Sequence, residues 1–361
     1  MTDLAAAEAR SSAGETAADT DIEHELGTLF AAARRRAGDL DPHYAALWRS
    51  LALQSSGGKR IRPHLVRLAY RGLGGTDAAL ATRVAVAFEL LHTAFLIHDD
   101  VIDRDTVRRG DPNISARFAA RAIRNGTDER TSEIWGETAA VLAGDLALSL
   151  AHRELALLPV EAERRERLLD ILDRAVFVSA AGELADVVNA GAPEPTSMPR
   201  VLSTLEQKTA VYSFECPLAA GAVLAGAPEA SISALERFGR FIGIAFQITD
   251  DVLGVFGDPA VTGKSAASDL REGKRTALIA HAATTAEWPR IAAGLGDPAL
   301  DDAEADELRE ALRDCGALDT AMALAEEHVT LARYELDTAD LPAELTAELG
   351  AIARRAVERA R

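Results

Sequence analysis

A chain of 361 residues, 48% of them hydrophobic, can bury a large core, and its net charge of −18 excludes a nucleic-acid partner, because phosphate backbone is bound by a basic face. Only 5% of residues are aromatic, β-branched residues are thin, and alanine, leucine, arginine and glutamate abound, so an all-α protein is expected. Two distant cysteines, Cys216 and Cys315, lack metal-ligand spacing and fit a reducing cytosol, no apolar run reaches the roughly 20 residues that cross a bilayer, and the acidic N-terminus is wrong for a signal or transit peptide.

Those exclusions leave a soluble, cytoplasmic protein with no membrane anchor as the expectation. Residues 1–21 carry Ala, Ser, Thr, Gly and acid without apolar periodicity and read as a disordered tail. Residues 22–361 then read as a single helical domain. Helical periodicity predicts helices over 22–37, 44–55, 59–72, 76–103, 113–124, 135–157, 161–189, 198–206 and 209–225. Further ones are predicted over 231–256, 273–284, 302–314, 316–336 and 342–360. Gly57-Gly58 and Gly72-Leu73-Gly74-Gly75 punctuate the pattern, and Gly110-Asp111-Pro112 ends a loop. The polar stretches Asn125–Glu133 and Trp288–Asp302 read as surface loops.

Two of the most apolar helices run into aspartate pairs. Phe88 to His98 leads into Asp99-Asp100-Val101-Ile102-Asp103, and Phe238 to Thr249 leads into Asp250-Asp251-Val252-Leu253-Gly254. Asp99 and Asp103 share a helix face, four residues apart, where two unpaired carboxylates repel. Mg²⁺ relieves such repulsion, since it takes oxygen ligands and prefers one or two carboxylates plus substrate phosphates. If the two helices face each other across a bundle, the aspartates bracket a diphosphate through bridging metals. A solvated acidic helix end is the plainer account of one such pair. Acids near a helix C-terminus oppose the macrodipole, however, and two matched pairs favour metal binding.

Cations interleave with the acids. Gly57-Gly58-Lys59-Arg60-Ile61-Arg62-Pro63 sets three of them beside a glycine pair at a helix start, a suitable place for an anion. Arg108-Arg109-Gly110 follows the first aspartates, and Lys208-Thr209, Lys264 and Lys274-Arg275 come later. A lone basic triplet is usually a solvated face. Basic clusters alternating with two aspartate pairs suit two separate diphosphates.

Taken together and in this order, Gly57 to Pro63, Asp99 to Asp103 with Arg108-Arg109-Gly110, Ala143-Gly144-Asp145, Lys208-Thr209 and Phe246 to Asp251 resemble the trans-isoprenyl diphosphate synthases, the polyprenyl synthetase family. The resemblance covers about residues 25–355. It implies a helical bundle of the isoprenoid synthase type with a central substrate cavity, a homodimer, and a Mg²⁺-dependent prenyltransferase that joins isopentenyl diphosphate to an allylic diphosphate (dimethylallyl, geranyl or farnesyl). By the same resemblance Lys59, Arg62, His92 and Arg109 hold isopentenyl diphosphate. Asp99, Asp103 and Asp250 ligate Mg²⁺ at the allylic diphosphate, with Asp100 and Asp251 in supporting positions. Arg108, Lys208, Gln247 and Lys264 contact that diphosphate, and Thr209 sits by the reacting carbon. His92 alone would read as a core histidine; its place two turns before Asp99, on the same face, is what includes it.

Two departures stand out. Gly254 takes the place of a third aspartate, with Asp258 too far on to substitute, and Glu183 takes the place of a glutamine common in relatives. Product length follows from the residues four and five before Asp99, because an isoprene unit spans about 5 Å, near one helical turn. Here these are bulky Phe95 and small Ala94, with Leu91 a turn further. The expected product is geranylgeranyl diphosphate, with farnesyl diphosphate as the alternative. A terpene cyclase of the same fold would not need the Gly57–Pro63 motif, and a non-catalytic synthase subunit would not need both aspartate motifs.

Overall fold

The computed structural model describes residues 21–257 and 267–359. The chain forms helices α1 (21–38), α2 (Pro42–Ser55), α3 (Ile61–Gly72), α4 (Ala78–Ile102), α5 (Ile114–Arg124), α6 (Glu129–Ala156) and α7 (Ala162–Ala190). Then come α8 (Met198–Leu205), a π-helical stretch (Glu206–Glu215), α9 (Cys216–Ala225) and α10 (Glu229–Phe256). The last are α11 (Ser268–Arg271), α12 (Ala277–Ala282), α13 (Trp288–Ala292), α14 (Asp302–Asp314), α15 (Ala317–Thr338) and α16 (Ala343–Glu358). Strands β1 (Val107–Arg108) and β2 (Asp111–Pro112) form one short hairpin. The all-α expectation is met.

The backbone groups into two compact units, up to Leu169 and from Asp170 on, dividing within α7. In the first unit α4 packs on α3 and α6, and α6 also packs on α5. Asp77 starts α4 by accepting from the N–H groups of Ala79 (3.0 Å) and Leu80 (3.1 Å). Val84 to Phe88 and Leu90-Leu91 are fully buried, so α4 is a core helix on nearly every side. α4 and α6 are nonetheless long and apolar enough, by composition, to cross a membrane, against the reading that no such run exists. In α4 that apolarity goes into the core. In the second unit α10 packs on the π-helical stretch, α9, α15 and α16.

Several boundaries move. The polar stretch after Asn125 is loop only as far as Asp128, whose carboxylate accepts from Thr131 N–H at 2.9 Å and starts α6 at Glu129. The break expected between 206 and 209 is absent, because the wide π turns carry the chain from α8 into α9 without interruption. Pro217, which has no N–H to offer the preceding turn, stands at the start of α9 immediately after that stretch. The segment 273–284 is helical only over Ala277–Ala282, and α11 and α13 are short helices that periodicity does not predict. Of the residues 1–21 expected as a disordered tail, 1–20 lie outside the described residues and residue 21 opens α1.

Candidate active site

In the first unit α4, sealed along its middle, has an accessible stripe toward its C-terminus. Leu91, Ala94 and Ile97 are buried, whereas His92, Phe95, Leu96, Asp99 and Asp103 are partly exposed, at helical spacing. Asp99 lies in the last turn, and Asp103 is the C-cap, its N–H donating to Asp99 O at 2.8 Å. The neighbouring Asp100 points inward and is only 3% exposed. Its Oδ1 accepts from Arg108 Nε at 2.7 Å and also from Nη2, and its Oδ2 accepts from Gln54 Nε2 at 3.1 Å. Burial pushes the Asp100 carboxyl up, against the downward pull of Arg108. Asp100 therefore aims Arg108, whose Nη2 also lies 3.4 Å from Asp99 Oδ2.

Arg108 and Arg109 owe their placement to the hairpin. Val107 pairs with Pro112 and Arg108 with Asp111, leaving Arg109-Gly110 as a two-residue turn. Both have positive φ, 55° and 82°, as a type I′ turn demands, which is why a glycine follows the arginines. Arg109 then donates from Nη1 to Ser56 O at 2.8 Å. Its guanidinium lies over Gly58, where a Cβ would come within 2.7 Å of Nη2. The Gly57-Gly58 loop and the arginine turn are thus one structure, and sequence spacing alone does not show it.

Lys59 is exposed and Arg62 partly so. Arg60 differs: it is 4% exposed, pairs with Glu89 and Glu23, and donates to Ser55 O at 2.9 Å. Of the basic triplet, Arg60 is a structural strut. Burial first, then Arg62, Arg109, Arg108 and Arg60, hold the His92 imidazole well below the usual histidine range, so the ring is neutral at physiological pH. Ala143-Gly144-Asp145 lies opposite on α6. A Cβ at Gly144 would come within 2.1 Å of His98 Nε2, which itself lies 3.6 Å from Asp145 Oδ1, so the glycine admits the His98 ring.

In the second unit the π-helical stretch carries Lys208 and Thr209, as such insertions often carry functional groups. Lys208 Nζ lies 2.7 Å from Asp186 Oδ2 and 3.0 Å from Glu183 Oε2, both on α7. The approach is close because Gly182 backs onto the Lys208 backbone: a Cβ there would meet its nitrogen at 2.3 Å. Thr209 Oγ1 donates to Gln247 Oε1 at 3.0 Å, and Gln247 Nε2 donates to Asp251 Oδ1 at 2.8 Å. Lys264 lies outside the described residues.

Asp250 and Asp251 sit inside α10, which runs on to Phe256 rather than ending at the pair. Phe246, Gln247 and Asp250 face outward, while Asp251 is 8% exposed. Its Oδ2 is buried without a hydrogen-bond partner. Burial, then the charges of Asp269 and Asp250, push its carboxyl well up, against the opposing pull of Gln247 and Lys274. A buried acid with an unsatisfied oxygen beside two further carboxylates has the chemistry of a site that awaits a cation. Among the described residues no three metal-ligating side chains converge as a complete cage. That suits Mg²⁺, which retains waters and substrate oxygens, and the donors present fit it. Gly254 is explained too. A Cβ there would lie 2.0 Å from Asp269 Oδ2, so the carboxylate of Asp269 fills the space an aspartate at 254 would need.

Four contributors escape sequence reading. Asp186 is three residues from Glu183 on one helix face, a detectable signal. Gln54, Asp269 and Arg359, the last with Nη1 3.5 Å from Asp250 Oδ1, reach their sites from segments with no local motif.

The fold and these sets define an all-α protein with an acidic motif and basic side chains in each unit. The polyprenyl synthetase family profile matches residues 49–312, across the division between the units, and the chain belongs to that family. It is 34% identical to the (2E,6E)-farnesyl diphosphate synthase of Mycobacterium tuberculosis, over 94% of this chain and 92% of that one. It is 33% identical to a geranylgeranyl diphosphate synthase of Methanosarcina mazei, over 79% and 81%. The crystal structure of geranylgeranyl pyrophosphate synthase from Corynebacterium glutamicum, complexed with isoprenyl diphosphate and magnesium, superposes with a TM-score of 0.86 at 32% identity, covering 94% of this chain and 97% of that one. The fold is that of the all-α isoprenoid synthases, and the protein is a prenyltransferase of isoprenoid biosynthesis.

Proposed function

We propose that the protein is a Mg²⁺-dependent synthase of a short-chain all-trans prenyl diphosphate, condensing isopentenyl diphosphate with an allylic diphosphate. One observation carries this: each unit presents an aspartate on the accessible face of a buried helix, with a second, buried carboxylate next to it and lysine or arginine at hand. Asp99, Asp103 and Asp250 hold Mg²⁺, which when bound withdraws charge from the allylic diphosphate and eases its ionisation. Arg108, aimed by Asp100, and Lys208, held by Asp186 and Glu183, donate to the allylic diphosphate, as does Lys264. Gln247 and Thr209, bonded to one another, present dipoles to the developing allylic cation. Lys59, Arg62, Arg109 and neutral His92 hold isopentenyl diphosphate and orient its double bond for reaction. The depressed basicity of His92 keeps it a hydrogen-bonding group rather than another positive charge.

The product proposed is geranylgeranyl diphosphate. A specific observation favours farnesyl diphosphate as the second reading: Ala94 is fully buried, while Phe95 is on the accessible stripe below Asp99. The protein acts as a cytoplasmic homodimer. In support, α6 exposes Ile134, Val141 and Leu142, and α7 exposes Phe177 (76%), Leu184 and Val188 at helical spacing. Incubation with labelled isopentenyl diphosphate, each allylic starter and Mg²⁺, followed by chain-length analysis, tests the reading. A metal-dependent product of fifteen or twenty carbons is expected, and no incorporation with any starter refutes it.

A further inference from the structure

Asp250 has a fixed neighbour. Arg359, just beyond α16, places Nη1 3.5 Å from Asp250 Oδ1 and donates from Nη2 to Phe246 O at 3.3 Å. Its guanidinium carbon lies 4.0 Å from the centroid of the Phe246 ring. Phe246 is one turn before Asp250 on α10, so ring and carboxylate share a helix face. The arginine side chain is 24% exposed and the aspartate 54%. Held by a ring, a carbonyl and a carboxylate at once, this guanidinium is set in place rather than wandering in solvent.

Charge explains what it does there. Asp269 and Asp250 both oppose the charge of Asp251, and Lys274 pairs with Asp269 at 3.2 Å and Glu272 at 2.8 Å. Among the described residues, Arg359 is the positive charge in contact with Asp250. An arriving divalent cation is repelled by that charge, whereas a diphosphate is attracted by it and offers acceptors to its donors.

We propose that Arg359 is the resident counter-ion of Asp250 in the metal-free enzyme, and that it holds back metal loading at the second acidic motif until a diphosphate arrives. The inference rests on the reading of Asp250 as a metal ligand. It makes binding of metal and diphosphate mutually reinforcing, since each relieves the repulsion felt by the other. A merely structural arginine would weaken metal binding when removed, by loosening α16 on α10. A counter-ion does the opposite.

The test is Mn²⁺ titration of the full chain, with free ion followed by electron paramagnetic resonance, with and without inorganic pyrophosphate. Without pyrophosphate, Arg359→Gln binds Mn²⁺ roughly five- to tenfold more tightly than wild type, the scale expected for one close charge at a solvated, salt-screened site. The gain in affinity on adding pyrophosphate shrinks by a similar factor, and Arg359→Lys stays within about twofold of wild type. Arg359→Met, which keeps an apolar stem over Phe246, gives the same tightening and covers the case in which the Gln variant does not fold. Equal or weaker Mn²⁺ binding by a folded, charge-free variant overturns the proposal. Unchanged Mn²⁺ binding in Asp250→Asn would instead show that Asp250 is no ligand, and the underlying reading falls with it.

Discussion

Replacing Asp251 with asparagine should stabilise the metal-free protein. Asp251 is 8% exposed, its Oδ2 has no hydrogen-bond partner, and Asp269 and Asp250 add like charge. An unsatisfied buried polar atom costs about 1–3 kcal/mol, more when charged. Asparagine keeps the acceptor for Gln247 Nε2, now 2.8 Å from Oδ1, and removes the charge that Asp269 and Asp250 oppose. A gain of about 1–2 kcal/mol at pH 7.5 is expected in urea unfolding without metal. The pH dependence carries the sign. The folded-state carboxyl is raised above its ordinary value of 3.8, so between that value and the raised one the folded state binds more protons than the unfolded state. Stability from this group therefore falls as pH rises through that window. The advantage of the variant over wild type should shrink as pH falls from 7.5 toward 5, and Mg²⁺ should stabilise wild type more than the variant. A variant less stable than wild type at pH 7.5 by 1 kcal/mol or more would refute the account of Asp251 as an uncompensated charge.

Asp99→Ala should lower the condensation rate at least about a hundredfold; a stopped assay with labelled isopentenyl diphosphate checks both variant and wild type. Arg60→Met should destabilise by about 3–5 kcal/mol in urea, since it strands Glu89, whose side chain is 4% exposed. His92 should show no ring titration by NMR at or above pH 6.5. As its folded-state value is depressed, its contribution to stability is present above 6.5 and is lost as pH falls through the folded-state value, and His92→Gln should remove that dependence. Phe95→Ala should lengthen the product by at least one isoprene unit, while Ala94→Gly, at a sealed position, should leave chain length unchanged in the product analysis.

Much of the frame was legible along the chain. α4 and α10 are readable because their apolar runs are long, whereas periodicity starts α2 at 44 and only the structure shows Asp41 capping it at Pro42. The aspartate pairs are legible because paired acids interrupt two strongly apolar helices, at the end of α4 and inside α10. The hairpin that aims Arg108 and Arg109 was not, since two-residue strands leave no period to detect. In the sequence Gln207 and Lys208 interrupt the apolar pattern and read as a break, and only the structure shows the chain continuing in wider turns packed on α10.

By itself, then, the order of residues determined helix type, the acidic and basic motifs and the family they resemble, because these depend on near neighbours. Tertiary structure decided which charges are free to act. It consigned Arg60 to Glu23 and Glu89, bound Asp100 to Arg108 and Gln54, and left an oxygen of Asp251 unsatisfied. It also seated Arg359 against Asp250 from more than a hundred residues away in the chain. Burial and charge pairing depend on what folds against a side chain, and residues 54, 269 and 359 reach their partners across distances that no local spacing encodes.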